Sequence, residues 1–457
     1  MSQKPFQSIN PASGELIAET PAFDDSMIEQ ALGRASDQAR QWASAPHRDR
    51  ADLLNAIADQ LDSRKDRLAG IITEEMGKLI KESRAEVEKC AWVCRYYADH
   101  GESFVADETI DTDARHSLVA YQPLGAVLAV MPWNFPLWQV FRFAAPAIAA
   151  GNVGLLKHAS NVMQCSQAIE NVFNQAGAPK GLFTHLAIRS DRVEQIINDK
   201  RVRAVTLTGS EPAGRAVAAQ AGKVLKKSVL ELGGSDPFVV FEDANLELAV
   251  SKAVQSRFMN AGQSCIAAKR FIVVEAVADD FEQRFAEAVA ALTPGDPSQE
   301  DTHLAPMARA DLRDEIHRQV LDALDNGATC LTGGALVDGP GYFYQPTVLS
   351  GVREGMRAYR EELFGPAASI LRADHEDHAL QLANDSDFGL GGSIWSQDID
   401  RGLAAARRLE CGCAFVNELV KSDPRVPFGG IKHSGYGREL SRLGIQEFVN
   451  AKTIWID

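Results

Sequence analysis

Ala126-Val127-Leu128-Ala129-Val130-Met131 is an unbroken apolar run of strand length that stops at Pro132-Trp133-Asn134-Phe135-Pro136. A strand apolar throughout, without alternation, is one buried on both faces, as in a parallel sheet covered by helices. Two similar runs follow, Val153-Gly-Leu-Leu-Lys157 and Ala204-Val-Thr-Leu-Thr208, each succeeded by a helical stretch. This rhythm predicts an α/β fold. A second cycle starts near Glu231, with candidate strands at 238–241, 271–274, 393–395 and 414–417 and helices at about 245–260, 277–291, 309–326 and 398–409. Two parallel-sheet α/β domains fit the pattern.

Upstream, 24–43, 48–76 and 79–99 read as amphipathic helices, the second with Leu53, Leu54, Ile57 and Leu61 at three-to-four spacing. Residues 107–121 turn polar and alternating, like an exposed hairpin. The tail, 448–456, looks like a terminal strand without a sequence neighbour to pair with, so the 107–121 hairpin or another subunit is expected on its edge. Met1 to Gly14 reads as a polar, Pro-interrupted arm.

Composition sets outer limits. The chain has 457 residues, 45% of them hydrophobic and 24% charged, as in a globular protein large enough for two or three cores. A net charge of −15 opposes nucleic acid and anionic membranes as partners and favours a small-molecule ligand. Seven scattered cysteines form no disulfide framework, and no apolar run reaches the roughly 18 residues of a membrane helix, so the cytoplasm is the expected compartment. Cys411-Gly-Cys413 lacks the spacer of a zinc or redox pair, and no metal is expected.

Four constellations carry potential chemistry. Met259-Asn-Ala-Gly-Gln-Ser-Cys265 sets a thiol in a small-residue turn after a helix, with room for a carbonyl and its own N–H free for an oxyanion, although a cysteine so placed is more often a small buried hydrophobe. Asn134, held between two prolines at a strand end, offers an amide donor or merely closes a rigid turn. Thr208-Gly209-Ser210-Glu211-Pro212-Ala213-Gly214 joins a strand to a helix as at pyrophosphate sites, but such glycines also serve turn geometry alone. Glu231 in Leu230-Glu-Leu-Gly-Gly234 is a general base if desolvated and a surface turn if not. Lys157, alone, reads as a solvated surface lysine.

Taken together, Pro132-Trp-Asn-Phe-Pro136, Glu231-Leu-Gly-Gly234, Gly262-Gln-Ser-Cys265, Glu362-Leu-Phe-Gly-Pro366 and Pro427-Phe-Gly-Gly430 followed by Gly435-Tyr-Gly-Arg-Glu439 resemble the aldehyde dehydrogenase superfamily in order and separation over essentially the whole chain. The resemblance implies a Rossmann-like dinucleotide domain (1–106 and 122–230), a catalytic domain (231–422), a return of 423–438 to the cofactor domain, and a small β oligomerisation element (107–121 and 439–457) that makes homodimers or homotetramers. It assigns Cys265 as nucleophile, Asn134 with the Cys265 N–H as oxyanion hole, and Glu231 as activator of the hydrolytic water. For the cofactor it implies Trp133, Lys157, Ser160, Gly209, Ser210, Leu232, Glu362 and Phe364.

Ser160 departs from many NAD-specific relatives, which carry a Glu there. A Glu would repel a 2′-phosphate of about −1.5 to −2 charge, whereas a small hydroxyl beside Lys157 accepts it, so NADP is the expected cofactor, with NAD as the alternative. Arg142, eight residues after Asn134 on an otherwise apolar helix, needs an anion: a substrate carboxylate held by its planar fork, or an internal Asp or Glu. The runs 133–145, 157–161 and 420–425 look most like the shorter bacterial succinate-semialdehyde dehydrogenases, a pattern that puts Ser422 beside Arg142 at a substrate carboxylate. Broader action on ω-carboxy aldehydes such as glutarate semialdehyde, and a cofactor-free thiol esterase, are the alternatives.

Overall fold

The computed structural model describes residues 4–457. The expected N-terminal arm is instead a hairpin from Phe6 on, Phe6–Ile9 pairing antiparallel with Leu16–Thr20, while Met1 to Gln3 lie outside the described residues. Four helices follow: Asp25–Trp42, His47–Ser63, Lys65–Met76 and Ile80–Phe104. The expected single helix over 48–76 breaks at Arg64, which leaves helical geometry (φ −116°, ψ 14°). The break lets both the Leu53, Leu54, Ile57, Leu61 stripe and the Leu68, Ile72 stripe face the same core, which one straight rod would not.

Ala126–Met131 lies inside a six-stranded sheet ordered Gly435–Tyr436, Lys227–Glu231, Val202–Thr208, Ala126–Met131, Val153–His158, Phe183–His185. The last five run parallel. The chain proceeds from Ala126–Met131 to one side and returns to the other, so a topological switch point falls between Ala126–Met131 and Val202–Thr208, where open α/β sheets take ligands at the carboxyl ends.

The second sheet has seven strands in the order Thr329–Thr332, Thr347–Ser350, Ala367–Ala373, Ala268–Val274, Asp236–Val240, Gly391–Trp395, Cys413–Val416. All are parallel except the first, an antiparallel edge. The tail strand finds its partner within the chain: Val449–Ile456 pairs antiparallel with His116–Pro123 along its length, from Val449 opposite Pro123 to Ile456 opposite His116. Among the described residues no helix is long and apolar enough to cross a membrane.

Candidate active site

The parallel strands of the first sheet deliver most of the site through their carboxyl ends. Pro132, Trp133 and Asn134 follow Ala126–Met131, Lys157 is the penultimate residue of Val153–His158 with Ser160 just beyond, Gly209 and Ser210 follow Val202–Thr208, and Glu231 ends Lys227–Glu231. Register fixes their neighbours, with Val130 opposite both Lys157 and Leu207. Ser210 is the residue before helix Glu211–Lys223, whose first-turn N–H groups point at the sheet edge. That helix packs close because Gly214 has no Cβ; one there would meet Leu232 Cδ2 at 2.6 Å.

Cys265 rests on a strained but heavily tied loop between helix Leu246–Phe258 and strand Ala268–Val274. Asn260, Ala261 and Gly262 are consecutively left-handed, at φ 54°, 51° and 73°, a conformation costly for the first two and kept only where the surroundings over-determine it. They do so here. Asn260 Nδ2 donates to the carbonyls of Asn134 (2.8 Å) and Gln263 (3.2 Å), Gln263 Oε1 accepts from Ala308 N–H (2.9 Å), and Arg257 donates to the Gly262 carbonyl. Lys269 Nζ, fully buried, donates to the carbonyls of Ser264 (2.8 Å) and Cys265 (2.6 Å) and pairs with Glu362 at 3.2 Å. Burial pushes the Cys265 thiol up to about 12, against the pull of the Lys269 and Arg142 charges.

Two cavities meet at this thiol. One, of about 360 Å³, is walled by Trp133, Asn134, Gly209, Ser210, Leu232, Glu362 and Phe364, and thus gathers six of the eight expected cofactor residues. Trp133 and Phe364 meet edge to face at 5.8 Å between centroids, and Glu362 is pinned by the Gly234 N–H at 3.0 Å. Lys157 and Ser160 are not on this wall; they stand at and just past the neighbouring strand end, Lys157 half-buried and Ser160 exposed. An apolar slot beside the thiol and free helix N–H groups on the sheet edge fit a dinucleotide laid across the switch point.

The other cavity, about 200 Å³, is largely apolar and is lined by Phe135, Trp138, Ile266 and Phe428, with Arg142 and Ser422 in its wall. Arg142 sits on helix Trp138–Ala149, every residue of which is buried. The anion it needs is already present: Arg142 forms a buried ion pair with Glu439, donates to Thr208 Oγ1 at 3.3 Å and lies 4.6 Å over the Phe428 ring. Its charge is therefore held from behind the cavity wall and is not waiting in the cavity.

Glu231 is buried as expected but walls neither cavity. Neither carboxyl oxygen has a hydrogen-bond partner, and a Cβ at Gly429 would lie 2.7 Å from Oε1, so the carboxyl is turned toward the Pro427–Gly430 segment. Burial, and next the Glu439 charge, hold its pKa well above the ordinary carboxylate range. Asn134 is on the wall, its Nδ2 donating to the Gln263 carbonyl at 2.9 Å, which leaves one of its two N–H bonds free.

Sequence reasoning missed Gln139 and Lys89. Gln139 lines both cavities and its buried Oε1 has no partner. Lys89, on helix Ile80–Phe104, lines the smaller cavity and donates to Ser422 Oγ at 2.9 Å. Neither belongs to a motif, and a lysine on an amphipathic helix reads as a solvated one.

The Aldehyde dehydrogenase family model matches residues 1–454. A succinate semialdehyde dehydrogenase of Escherichia coli, named for NAD(P)+, is 51% identical over 98% of this chain and 97% of its own. A succinate-semialdehyde dehydrogenase of Mycobacterium tuberculosis, named for NADP(+), is 48% identical over 99% of this chain and 100% of its own. The crystal structure of the Streptococcus pyogenes succinic semialdehyde dehydrogenase with NADP+ superposes with a TM-score of 0.97 at 40% identity, covering 99% of both chains. Given a match along almost its full length, with the family's motifs gathered around one thiol, the chain belongs to the aldehyde dehydrogenase family.

Proposed function

We infer that the protein oxidises succinic semialdehyde to succinate with NADP as preferred cofactor and NAD as a second, in a reducing, cytoplasmic compartment. The observation that carries this reading is that two cavities of different character open on Cys265, one fitting a dinucleotide and one of a size for a short aldehyde. The relatives' names support the substrate and the cofactor. The exposed Ser160, carrying no charge to repel a 2′-phosphate, supports NADP.

In this reading Glu231, rotated from the Gly429 side into the site, takes the Cys265 proton, and the thiolate adds to the aldehyde carbon. The resulting oxyanion receives the Cys265 N–H and the free Asn134 N–H. Trp133, Gly209, Ser210, Leu232, Glu362 and Phe364, with Lys157 and Ser160 at the ribose end, hold the cofactor, whose nicotinamide when bound supplies the acceptor for the aldehyde hydride. Loss of that hydride leaves a Cys265 thioester. Glu231, having passed the first proton to solvent, removes a proton from the attacking water; the carbon–sulfur bond breaks, Glu231 returns that proton to the departing thiolate, and the acid leaves. The distal carboxylate goes to the polar end of the smaller cavity, near Arg142 and Ser422. Homodimers or homotetramers are proposed to form through the sheet that Val449–Ile456 builds with His116–Pro123.

An absorbance assay at the reduced-nicotinamide band, crossing succinic semialdehyde, glutarate semialdehyde and butanal with NADP and NAD, tests the reading. The expected result is the highest kcat/KM for succinic semialdehyde with NADP. A higher value with butanal, or with NAD, overturns the corresponding half.

A further inference from the structure

Lys78, Lys89, Arg142 and Lys421 line the smaller cavity with Glu86 and Glu82, the last accepting from the Asn260 N–H, and of the four cations one has no carboxylate partner. Lys78 is neutralised by a buried pair with Glu86 and lies 3.8 Å from the Phe135 ring centroid, and Arg142 is neutralised by Glu439. Lys421 is exposed and pairs with Glu418. Lys89 alone among these forms no ion pair among the described residues. Its Nζ hydrogen-bonds Ser422 Oγ and stands 4.4 Å from the Trp138 ring centroid, so the ammonium is aimed across an aromatic wall into the space that ends at Cys265. A half-buried cation with one neutral hydrogen-bond partner and an aromatic face is incompletely solvated, and an anion reaching it gains a charge-assisted bond in a site of reduced dielectric.

We propose that Lys89 is the residue that receives the distal carboxylate of the substrate, with Ser422 donating beside it, and that Arg142 is a positioning residue whose guanidinium stays with Glu439. This deepens the succinic semialdehyde reading and rests on it. It would give a cavity whose walls are otherwise largely apolar a means of discriminating against uncharged aldehydes. Without an anion, burial and then the Arg142 charge hold the Lys89 ammonium down to about 8. The groups facing it are Glu86 and Cys90 on its own helix, Arg142 on the facing helix and Asp423 in the loop after Ser422.

The test compares wild type, Lys89→Met, which keeps the stem over Trp138, and Lys89→Arg on succinic semialdehyde and butanal. The ratio of kcat/KM for the charged over the neutral aldehyde should fall roughly 10- to 100-fold in K89M, through KM, and largely survive in K89R. In wild type, kcat/KM for succinic semialdehyde should fall relative to butanal as pH rises past about 8, and K89R should move that limb upward. Wild type that does not prefer the charged aldehyde overturns the function itself before any variant is made. Wild type that prefers it, with the preference intact in K89M, overturns the Lys89 assignment alone. Should K89M fail to fold, parallel alkaline limbs for both aldehydes in wild type and K89R overturn it equally.

Discussion

At the scale of single residues, the site works against solvation. Burial penalises the charged form of both reacting groups, pushing the Cys265 thiol up to about 12 and holding the Glu231 carboxyl well above the ordinary carboxylate range. Glu231 and Glu439 bind protons more tightly in the fold than in the unfolded chain, where a glutamate titrates near about 4.3. Their contribution to stability is therefore fully present below that pH and is lost as pH rises through the raised folded values. Glu231→Gln, which cannot ionise, should lower kcat by roughly 10²- to 10⁴-fold yet raise Tm relative to wild type increasingly from pH 5 to pH 9. Calorimetry across that range checks it, a pH-independent Tm difference being the contrary result.

At the scale of elements, the nucleophile loop is held by charges that never touch substrate. Lys269 links the carbonyls of Ser264 and Cys265 to the Glu362 carboxylate on the cofactor side, so one ammonium fixes both the thiol's backbone and a cofactor residue. Lys269→Met leaves a carboxylate near the thiol without its cation and should cost about 3–5 kcal/mol in denaturant unfolding. It should also slow alkylation of Cys265 by iodoacetamide, because the nearest charge favouring thiolate is gone. Gly262 is the tightest point of the loop, left-handed at φ 73° with the Gly365 carbonyl and Arg257 where a side chain would begin. Gly262→Ala should therefore destabilise on the order of 3 kcal/mol or more, read as a drop in Tm.

At the scale of the molecule, two parallel sheets bring a thiol from one and strand-end groups from the other onto a common pair of cavities. A third sheet, ordered Val449–Ile456, His116–Pro123, Glu108–Thr109, is separate from both and leaves Val449–Ile456 as an edge strand. Trp455 and Ile456 are 50% and 46% exposed on it, an apolar edge that a monomer would need to protect. Trp455→Asp should shift the protein to a smaller species in light scattering with little change in far-UV circular dichroism. An unchanged mass would overturn the proposed assembly through this strand.

What the sequence determined by itself was whatever depends on neighbours along the chain. Apolar runs such as Ala126–Met131 mark buried parallel strands because burial on both faces leaves no polar alternation, and the short motifs around Asn134, Glu231, Cys265 and Glu362 are legible because their geometry is local. The break at Arg64 and the N-terminal hairpin were not legible, since both are set by packing against residues far away. Only the tertiary structure decided which charges are free. Arg142 and Glu439 are 297 positions apart and Lys89 and Ser422 are 333 apart, yet the first pair is closed and the second leaves an ammonium facing the thiol's cavity. Side-chain pairing in a low dielectric depends on distances of a few ångströms, and no spacing in the chain encodes those.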